Sequence, residues 1–410
     1  MNLLEDLQWR GLVHQCSDLE GLEKLLASQQ VTLYCGFDPT SDSLHVGNLI
    51  PMVSLLRFKK AGHNPLALIG GATGLIGDPS GKAQEREILL EESVLNNSQG
   101  IGKQLATITQ AKTVNNIDWT KNMSVIDFMR QVGKNFSVNA MLARDSVNTR
   151  LNGDGLSFTE FSYMLFQGND FLQLAKQHGC SLQIGGSDQF GNMCSGLDLL
   201  RKNNLDGFAL TFPLLVKADG TKFGKSEKGT VWLSADKTSP WDFFQFWLNT
   251  ADSDVVKLLK LYTFLSHEEI TKLEESTNSQ PELRLAQKAL AQEVTTLIHG
   301  EEVCRSIQEV STFLFSGKNF ELSSQSIELL KTIIPQSQKD VATLQDVKQV
   351  MVETELAGSM TKATQSIKEN SVQILELNNE PIKVTESQKD FSLKKPFLIK
   401  KGKKYFAIVH

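Results

Sequence analysis

The stretch VTLYCGFDPTSDSLHVGN, residues 31–48, decides the fold class of the first half of the chain. Its first seven residues are rich in β-branched and aromatic side chains and predict a buried strand that ends at Gly-Phe-Asp-Pro. After a polar loop, Leu49, Val53 and Leu56 follow at helical spacing, and Gly62 is a stop signal. The stretch therefore predicts a strand, a loop and a helix in succession.

Further buried strands are predicted along the chain. NPLALIGGATG (64–74) predicts a buried strand that runs into a glycine-rich turn, and SLQIGGSDQ (181–189) and ALTFPLLV (209–216) are further apolar strands. Apolar strands separated by helices imply a parallel sheet with its ligand at the carboxyl ends of the strands. We expect an α/β protein with a Rossmann-like parallel-sheet domain.

The pattern changes after Trp241 to one helix after another, including a capping-box start at Ser266. From Asp346 the tail holds 11 lysines and no arginine against 8 acidic residues, which is a net charge of +3 in a chain of net charge −5. Aromatic and aliphatic residues alternate around its last lysines and predict strands with a basic face. We expect a Rossmann-like domain at 1–217, a loop and an α-helical domain at 218–330, a linker at 331–345 and a small α+β module at 346–410.

Composition limits the functional classes. A chain of 410 residues with 40% hydrophobic and 22% charged residues is typical of a globular protein of two or three domains. The sequence contains no apolar stretch of about 18 residues, so no transmembrane helix is predicted. The start of the sequence shows no leader pattern, and a cytoplasmic protein is expected. The five cysteines are scattered without a C-x-x-C pair, and none of the seven histidines has ligand spacing. We expect reduced thiols and no metal site.

Two loops point to phosphate chemistry. HVGN at 45–48 opens a helix, whose unpaired N–H groups suit phosphate, and Gly47 permits a close approach to the backbone. KADGTKFGKSEKG at 217–229 nearly matches a P-loop, but Asp219 stands where the first glycine is needed and Gly220 comes one residue late. We expect its lysines, rather than a wrapped backbone, to contact phosphate.

Taken together, HVGN and KFGKS (222–226) resemble the HIGH and KMSKS signatures of class I aminoacyl-tRNA synthetases. CGFDPTSDSLHVGN, IGGATGLIGDPSGK, FSYMLFQGNDF, QIGGSDQFGN and SPWDFFQFWLNT resemble tyrosyl-tRNA synthetases of the bacterial type, in the expected order. The resemblance covers essentially the whole chain. It implies that the protein activates L-tyrosine with ATP and transfers it to the terminal ribose of tRNA(Tyr). Asn48 replaces the second histidine of HIGH, and Phe223-Gly224 replaces Met-Ser of KMSKS.

The resemblance also implies roles for individual residues. Tyr34 and Asp170 would bind the phenolic hydroxyl of tyrosine, and the remaining tyrosine-binding residues would be Asp78, Tyr163, Gln167 and Gln189. The ATP-binding residues would be Cys35, Gly36, Asp38, Gly47, Asn48, Gly186, Asp188, Lys225 and Ser226. The catalytic residues acting on the phosphates would be Thr40, His45, Lys82, Arg86, Lys222 and Lys225. Spacings of four and three residues put Tyr163, Gln167 and Asp170 on one helix face.

Cofactor and partners follow from the same resemblance. Mg²⁺ is expected with the ATP substrate, with no metal site in the protein, and no membrane or DNA partner is expected. A homodimer with the 120–160 region at its interface is implied, and the tail at 355–383 resembles a small RNA-binding module shared with a ribosomal protein. Two alternatives stay open: a tryptophanyl-tRNA synthetase, which shares both signatures, and an RNA-binding protein that kept the fold and lost catalysis. An exchange assay with several amino acids would separate them.

Overall fold

The computed structural model describes residues 2–80, 89–151, 155–215, 223–226, 229–316, 322–376, 379–402 and 405–410, with the backbone alone at 145, 146, 149, 225, 226, 315 and 316. By internal contacts the chain forms two compact units. The first unit is Met1–Ser239 with Phe246–Val294, and the second is Pro240–Gln245 with Thr295–His410. The division at 217, 330 and 345 stays a prediction.

The first unit is built on a sheet that the sequence predicted to be parallel. Its strands are β1 (Gln15–Cys16), β2 (Thr32–Phe37), β3 (Asn64–Ile69), β4 (Lys112–Asn115), β5 (Cys180–Gly186), β6 (Phe208–Phe212) and the separate pair β7 (Lys225–Ser226) and β8 (Gly229–Thr230). The six-stranded sheet has the order β1-β6-β5-β2-β3-β4, in which the edge strand β1 is antiparallel and the others are parallel.

Helices lie before, between and after these strands, and the helices that begin at Pro240 and Leu285 each include residues of the second unit. The helices are α1 (Leu3–Trp9), α2 (Leu19–Ser28), α3 (Leu49–Lys60), α4 (Thr73–Ile76), α5 (Glu91–Thr109), α6 (Ile117–Thr120), α7 (Val125–Gln131), α8 (Val138–Leu142), α9 (Asp145–Leu151), α10 (Phe158–His178), α11 (Phe190–Lys202), α12 (Pro240–Leu248), α13 (Asp252–Tyr262), α14 (His267–Ser279) and α15 (Leu285–His299). The predicted strand at 31–37 and the following helix are confirmed, and Gly62 with its φ of 91° lies two residues past the end of α3.

Packing follows the apolar pattern of the strands. Leu33, Leu68 and Ile184 are buried, as expected for parallel strands that are covered on both faces. Helices α3 and α5 pack together and on β3, while α10 and α11 pack together and lie on β5 and β6. The capping box predicted at Ser266 is present at the start of α14.

The second unit contains α16 (Glu301–Ser316), α17 (Ser324–Ile333), α18 (Leu344–Glu353), α19 (Met360–Lys368) and the strands β9 (Gln336–Ser337), β10 (Val372–Glu376), β11 (Ile382–Lys383), β12 (Phe397–Lys401) and β13 (Tyr405–Val409). The strands form one sheet of order β11-β10-β12-β13-β9. Its core includes Val350, Ile367 and Ile399 from α18, α19 and β12. The strand-forming basic tail predicted from the sequence is therefore confirmed.

Among the described residues, no helix is both long and apolar enough to cross a membrane.

Candidate active site

The strand order reverses between β2 and β5, and the candidate active site is the crevice at the carboxyl ends of these two strands. Asp38 follows directly after β2, and a 3₁₀ turn at Ser187–Gln189 follows β5. In a doubly wound sheet the loops on the two sides of such a reversal diverge and leave room for a ligand. Topology thus brings together loops that lie about 150 residues apart along the chain.

A buried chain of hydrogen bonds lines this crevice. The Asp38 carboxylate accepts hydrogen bonds from the Tyr163 hydroxyl at 2.9 Å and from Thr73 Oγ1 at 2.7 Å. Thr73 Oγ1 in turn accepts from Asn116 Nδ2 at 3.0 Å, and the same amide nitrogen donates to Asp170 Oδ2 at 2.9 Å. Four elements of the fold therefore hold the two carboxylates at a fixed separation.

Asp170 is the most deeply buried carboxylate of this network, with 2% of its surface exposed. Its second oxygen accepts a hydrogen bond from Trp119 Nε1 at 2.9 Å. Burial raises the pKa of Asp170 to about 7, although the bonds from Asn116 and Trp119 favour the charged form. This carboxyl group therefore changes its charge close to neutral pH.

Three buried polar atoms on β2, β5 and α10 lack a hydrogen-bond partner within the described part of the chain. They are the Tyr34 hydroxyl, Gln167 Oε1 and Gln183 Oε1. Tyr34 and Gln183 are aligned on the neighbouring strands β2 and β5, and the Tyr34 ring meets Phe171 edge-on at 5.3 Å. Burial raises the pKa of Tyr34 well above its usual value, so its hydroxyl stays protonated. Because buried polar groups normally have partners, this set is typical of a site that pairs with a polar ligand.

A second polar group lies around Asp78, which is buried after the glycine turn that follows β3. Its carboxylate accepts from Gln189 Nε2 at 2.8 Å and from the backbone N–H of Ser80 at 2.9 Å. Gln189 Nε2 also lies 3.1 Å from Asp188 Oδ2, and Gln189 Oε1 accepts from Asn192 at 3.3 Å. The predicted residues Asp78, Asp188 and Gln189 are thus in direct contact.

The HVGN stretch forms the tight turn that begins α3. His45 Nδ1 accepts from the Gly47 N–H at 3.0 Å, and the His45 N–H donates to Asn48 Oδ1 at 3.1 Å. A Cβ atom at Gly47 would lie 2.7 Å from the imidazole ring, so a larger residue there would displace the ring from its hydrogen bond with the Gly47 N–H. Partial burial lowers the pKa of His45, which keeps the ring neutral at neutral pH. Asn48 therefore has a structural role in this turn.

The second signature lies against the first. A Cβ atom at Gly224 would lie 3.1 Å from Val46 Cγ2 and 3.6 Å from the backbone nitrogen of Gly47. The Gly224 carbonyl accepts from the Val231 N–H at 3.1 Å, and the Val231 carbonyl accepts from the Val46 N–H at 3.0 Å. Two loops that were linked only by a sequence resemblance are therefore neighbours in space.

The remaining predicted residues are accounted for as follows. Cys35 is buried on β2, and burial raises the pKa of its thiol to about 12. Gly36, near the carboxyl end of β2, and Thr40, in the loop that follows, are exposed. Gly186 ends β5, and a Cβ atom there would lie 2.5 Å from Asp188 Oδ1. Lys82, Arg86 and Lys222 lie outside the described residues. The backbone of Lys225 and Ser226 forms β7, but their side chains lie outside the description.

Sequence reasoning missed Thr73 and Asn116, which carry the hydrogen bonds between Asp38 and Asp170, and Trp119, which donates to Asp170. A signal for Asn116 and Trp119 exists in NNIDW, residues 115–119, because one asparagine ends β4 and a second asparagine and an indole follow it at the carboxyl edge of the sheet. Polar residues at that edge of a parallel sheet are candidates for ligand contacts. The described residues contain no group of three or more histidine, cysteine or acidic side chains that could hold a metal ion.

Comparison with known proteins gives consistent results. The family model described as tRNA synthetases class I (W and Y) matches residues 26–316. A tyrosine–tRNA ligase of Bacillus velezensis is 50% identical over 383 residues, covering 91% of both chains. Tyrosine–tRNA ligase 1 of Bacillus subtilis is 48% identical over 418 aligned positions, covering 100% of this chain and 99% of that one.

A solved structure also resembles the chain. The C-terminally truncated mitochondrial tyrosyl-tRNA synthetase of Aspergillus nidulans superimposes with a TM-score of 0.70 at 31% identity, covering 77% of this chain and 94% of that one. The sequence relatives extend the similarity through the C-terminal tail, where this structure ends.

Proposed function

Since the chain belongs to the class I tRNA synthetases of the tryptophan and tyrosine family and is a tyrosine–tRNA ligase, we propose that the crevice between β2 and β5 is its active site. The enzyme activates L-tyrosine with ATP to tyrosyl-adenylate and pyrophosphate and transfers tyrosine to the 3′-terminal ribose of tRNA(Tyr). The assignment of residues to these steps is our proposal.

The phenolic end of tyrosine is proposed to bind between Tyr34 and Asp170. The Tyr34 hydroxyl, buried without a partner among the described residues, would donate a hydrogen bond to the substrate oxygen, and the Asp170 carboxylate would accept a hydrogen bond from the substrate hydroxyl. Asn116 and Trp119 already donate to Asp170 and hold it in place. Phenylalanine would leave these buried groups unpaired, at a cost that can reach about 10⁴-fold to 10⁵-fold in discrimination. This buried pair is the observation that carries the proposal.

The amino and carboxylate groups of tyrosine are proposed to face the polar group around Asp78. The Asp78 carboxylate and Gln167 Oε1 are acceptors for an ammonium group, and Gln189 is a donor for a carboxylate. Tyr163 donates to Asp38, which orients the Tyr163 oxygen to accept from the ammonium group in turn. The hydrogen bond from Gln189 Nε2 to the Asp78 carboxylate, at 2.8 Å, places the two side chains next to each other and supports this orientation.

ATP is proposed to lie across the mouth of the crevice. Asp188 and Cys35 would contact the ribose, together with Gly36, Asp38 and Gly186 at the strand ends. Gly47 in the turn at His45 and Thr40 in the loop after β2 are both exposed and would contact phosphate. The lysines of KFGKS, Lys82 and Arg86 would supply positive charge to the pyrophosphate, and the Ser226 hydroxyl would donate a hydrogen bond to ATP. The position of Gly224 beside Val46 and Gly47 supports the convergence of the two signatures.

The mechanism follows from these positions. The tyrosine carboxylate is ionised at neutral pH and can attack the α-phosphorus without a general base, so catalysis rests on orientation and on stabilisation of the charge on the departing pyrophosphate. A neutral His45 acts as a hydrogen-bond donor to phosphate through Nε2, because its Nδ1 accepts from Gly47. We propose that Mg²⁺ arrives as the ATP complex, bound by phosphate oxygens.

A homodimer is proposed for the assembled enzyme. Several apolar side chains between residues 120 and 160 are exposed, among them Val125 at 76%, Ile126 at 68% and Phe158 at 72%. A groove of about 360 Å³ with an almost wholly apolar lining, including Met129 and Phe161, adjoins them. A continuous apolar surface of this kind is typical of an interface between protein chains. A second copy of this chain is its proposed occupant.

The tail of the second unit is proposed to contribute to tRNA binding, in the cytoplasm. Lys383, Lys389 and Lys394 are exposed around its sheet, and the tail carries a net charge of +3. Such charges bind the phosphate backbone without reading its sequence, and this contribution weakens as salt rises.

Pyrophosphate exchange with tyrosine, tryptophan and phenylalanine tests the active-site proposal. We expect exchange with tyrosine alone, and loss of discrimination against phenylalanine in Tyr34→Phe. Lys225→Ala should lower the exchange rate by about two orders of magnitude or more while the dissociation constant of tyrosine hardly changes. An unchanged rate in Lys225→Ala would remove the proposed role of the loop.

A further inference from the structure

The side chain of Phe223, inside the KFGKS signature, packs into a cluster of three aromatic rings. Its ring centroid lies 6.0 Å from that of Tyr262 with the planes at 20°, 5.7 Å from Trp247 and 5.6 Å from Phe246. Trp247 and Tyr262 are almost completely buried, at 0% and 1% exposure. Offset-stacked and edge-on pairs at these separations attract one another beyond simple burial. The cluster, named here the aromatic socket, therefore fixes the position of Phe223.

The residue that follows Phe223 lies against the turn at His45. Gly224 follows Phe223, has a φ of 95° and lies against Val46 and Gly47. A side chain there would meet Val46 Cγ2 at 3.1 Å, and the backbone angle itself disfavours any residue with a Cβ atom. Lys225 is the next residue. The backbone before it is therefore held by the aromatic socket on one side and by the His45 turn on the other.

The aromatic socket is also connected by hydrogen bonds to α3, the helix that follows the His45 turn. The carbonyl of Thr263, directly after α13, accepts hydrogen bonds from Arg10 at 3.2 Å and from Arg57. Arg57 lies on α3, close to the opposite end from the His45 turn, and Arg10 also donates to the Leu265 carbonyl at 2.8 Å. Tyr262 and the His45 turn are thus fixed to one another through α3.

We propose that Phe223 is a positioning residue, which holds the backbone before Lys225 at the correct distance from the His45 turn through the aromatic socket. The inference rests on the proposed role of Lys225 in binding pyrophosphate. Phe223 itself contacts apolar rings rather than nucleotide, so it acts through Lys225. Since catalysis by a fixed charge depends steeply on its placement, loosening this contact slows the chemical step more than it weakens substrate binding.

Phe223→Ala tests the proposal in the full-length enzyme. We expect kcat of tyrosine-dependent exchange to fall at least about tenfold, while the dissociation constant of tyrosine without ATP changes less than about twofold. Phe223→Met refills the socket with a flexible apolar side chain and should restore most of the rate. A residue that served stability alone would lower the melting temperature, while the folded enzyme would keep both its tyrosine affinity and its kcat per active site.

Coupling to the aromatic socket provides a second measurement. Tyr262→Leu should lower kcat as Phe223→Ala does, and the double variant should lose no more than either single variant, because both remove one contact. Tyr262→Phe keeps the ring, and its hydroxyl has no partner among the described residues, so it is the matched conservative variant. Phe223→Leu replaces Phe223→Ala if the latter does not fold, as judged by its melting curve.

The outcomes separate this inference from the proposed function. Exchange that survives in Lys225→Ala contradicts the role of the loop altogether. Loss of exchange in Lys225→Ala together with a normal rate in Phe223→Ala, or additive losses in the double variant, overturns the positioning role alone.

Discussion

At the scale of single residues, Asp170 shows how burial and hydrogen bonding set the chemistry of the candidate site. Burial, together with the charge of nearby Asp38, raises its pKa to about 7, while two donors limit the rise. An ionised carboxylate accepts a hydrogen bond from a phenol well, whereas a protonated carboxyl group is a poor acceptor. Tyr34 and Tyr163 have raised pKa values and stay neutral, whereas Asp170 titrates near pH 7.

Tyrosine affinity is therefore expected to fall as pH decreases. Below about pH 7 the free enzyme carries a proton on Asp170 that must leave on binding, so the dissociation constant rises by about tenfold per pH unit. Above that pH the affinity is constant. Equilibrium binding of tyrosine from about pH 5.5 to 8 measures this effect.

Two variants control the pH experiment. Trp119→Phe removes one donor to the carboxylate and should move the fall in affinity to higher pH. Asp170→Asn binds weakly, but its affinity should be independent of pH. A wild-type profile that stays flat through pH 7 would contradict the role of Asp170 as acceptor.

At the scale of secondary-structure elements, an ion pair fixes the start of the helix that carries the recognition residues. Arg150 at the end of α9 lies 2.8 Å from Glu160 in the first turn of α10, and the two side chains are 3% and 2% exposed. Arg150 also donates to the Gly155 carbonyl at 3.0 Å. Since Tyr163, three residues further on, belongs to the site, the pair positions the site as well as the helix.

Breaking this pair from one side is expected to be costly. Arg150→Met leaves Glu160 buried without its cation and should lower the free energy of unfolding by about 3–5 kcal/mol. Combining Arg150→Met with Glu160→Leu should recover most of the loss, because no buried charge is then left. Thermal unfolding of the two variants compares them, and equal melting temperatures for single and double variants would contradict this account.

At the scale of the whole molecule, assembly and tRNA binding depend on surfaces outside the crevice. The exposed apolar groove near Val125 lies in the first unit, and the exposed lysines lie in the second. None of the residues proposed above to bind tyrosine lines the groove or is one of these lysines. Variants on these surfaces therefore test assembly and tRNA binding.

Dimer formation should be sensitive to charge at the apolar groove. Val125→Asp combined with Ile126→Asp puts two carboxylates on side chains that are 76% and 68% exposed, so folding should be preserved. Sedimentation is expected to show a dimer for the wild type and a monomer for the variant, because burying the charges is unfavourable. Leu95→Asp, at a leucine with 57% exposure on α5, is the matched control and should stay dimeric. A wild-type monomer would contradict the proposal.

The lysines of the second unit should control the salt dependence of tRNA binding. Replacing Lys383, Lys389 and Lys394 by glutamine removes three exposed charges and should reduce the slope of log K against log salt by about one for each lost phosphate contact. Exchange without tRNA should be unaffected. The control replaces Lys103, Lys112 and Lys176, which are exposed on the first unit. An unchanged slope in the first variant would remove the tail from the binding surface.

Sequence alone determined the parallel sheet, the succession of helices after Trp241, the basic strand-forming tail and the family, because these depend on local periodicity and on short motifs. It also indicated that Tyr163 and Asp170 share a helix face. The contacts of Asn116 and Trp119 with Asp170, and of Gly224 with Gly47, were decided only by tertiary structure. Their partners lie far apart along the chain, so local pattern carries no record of them. The raised pKa of Asp170 likewise exists only once folding has removed water from it.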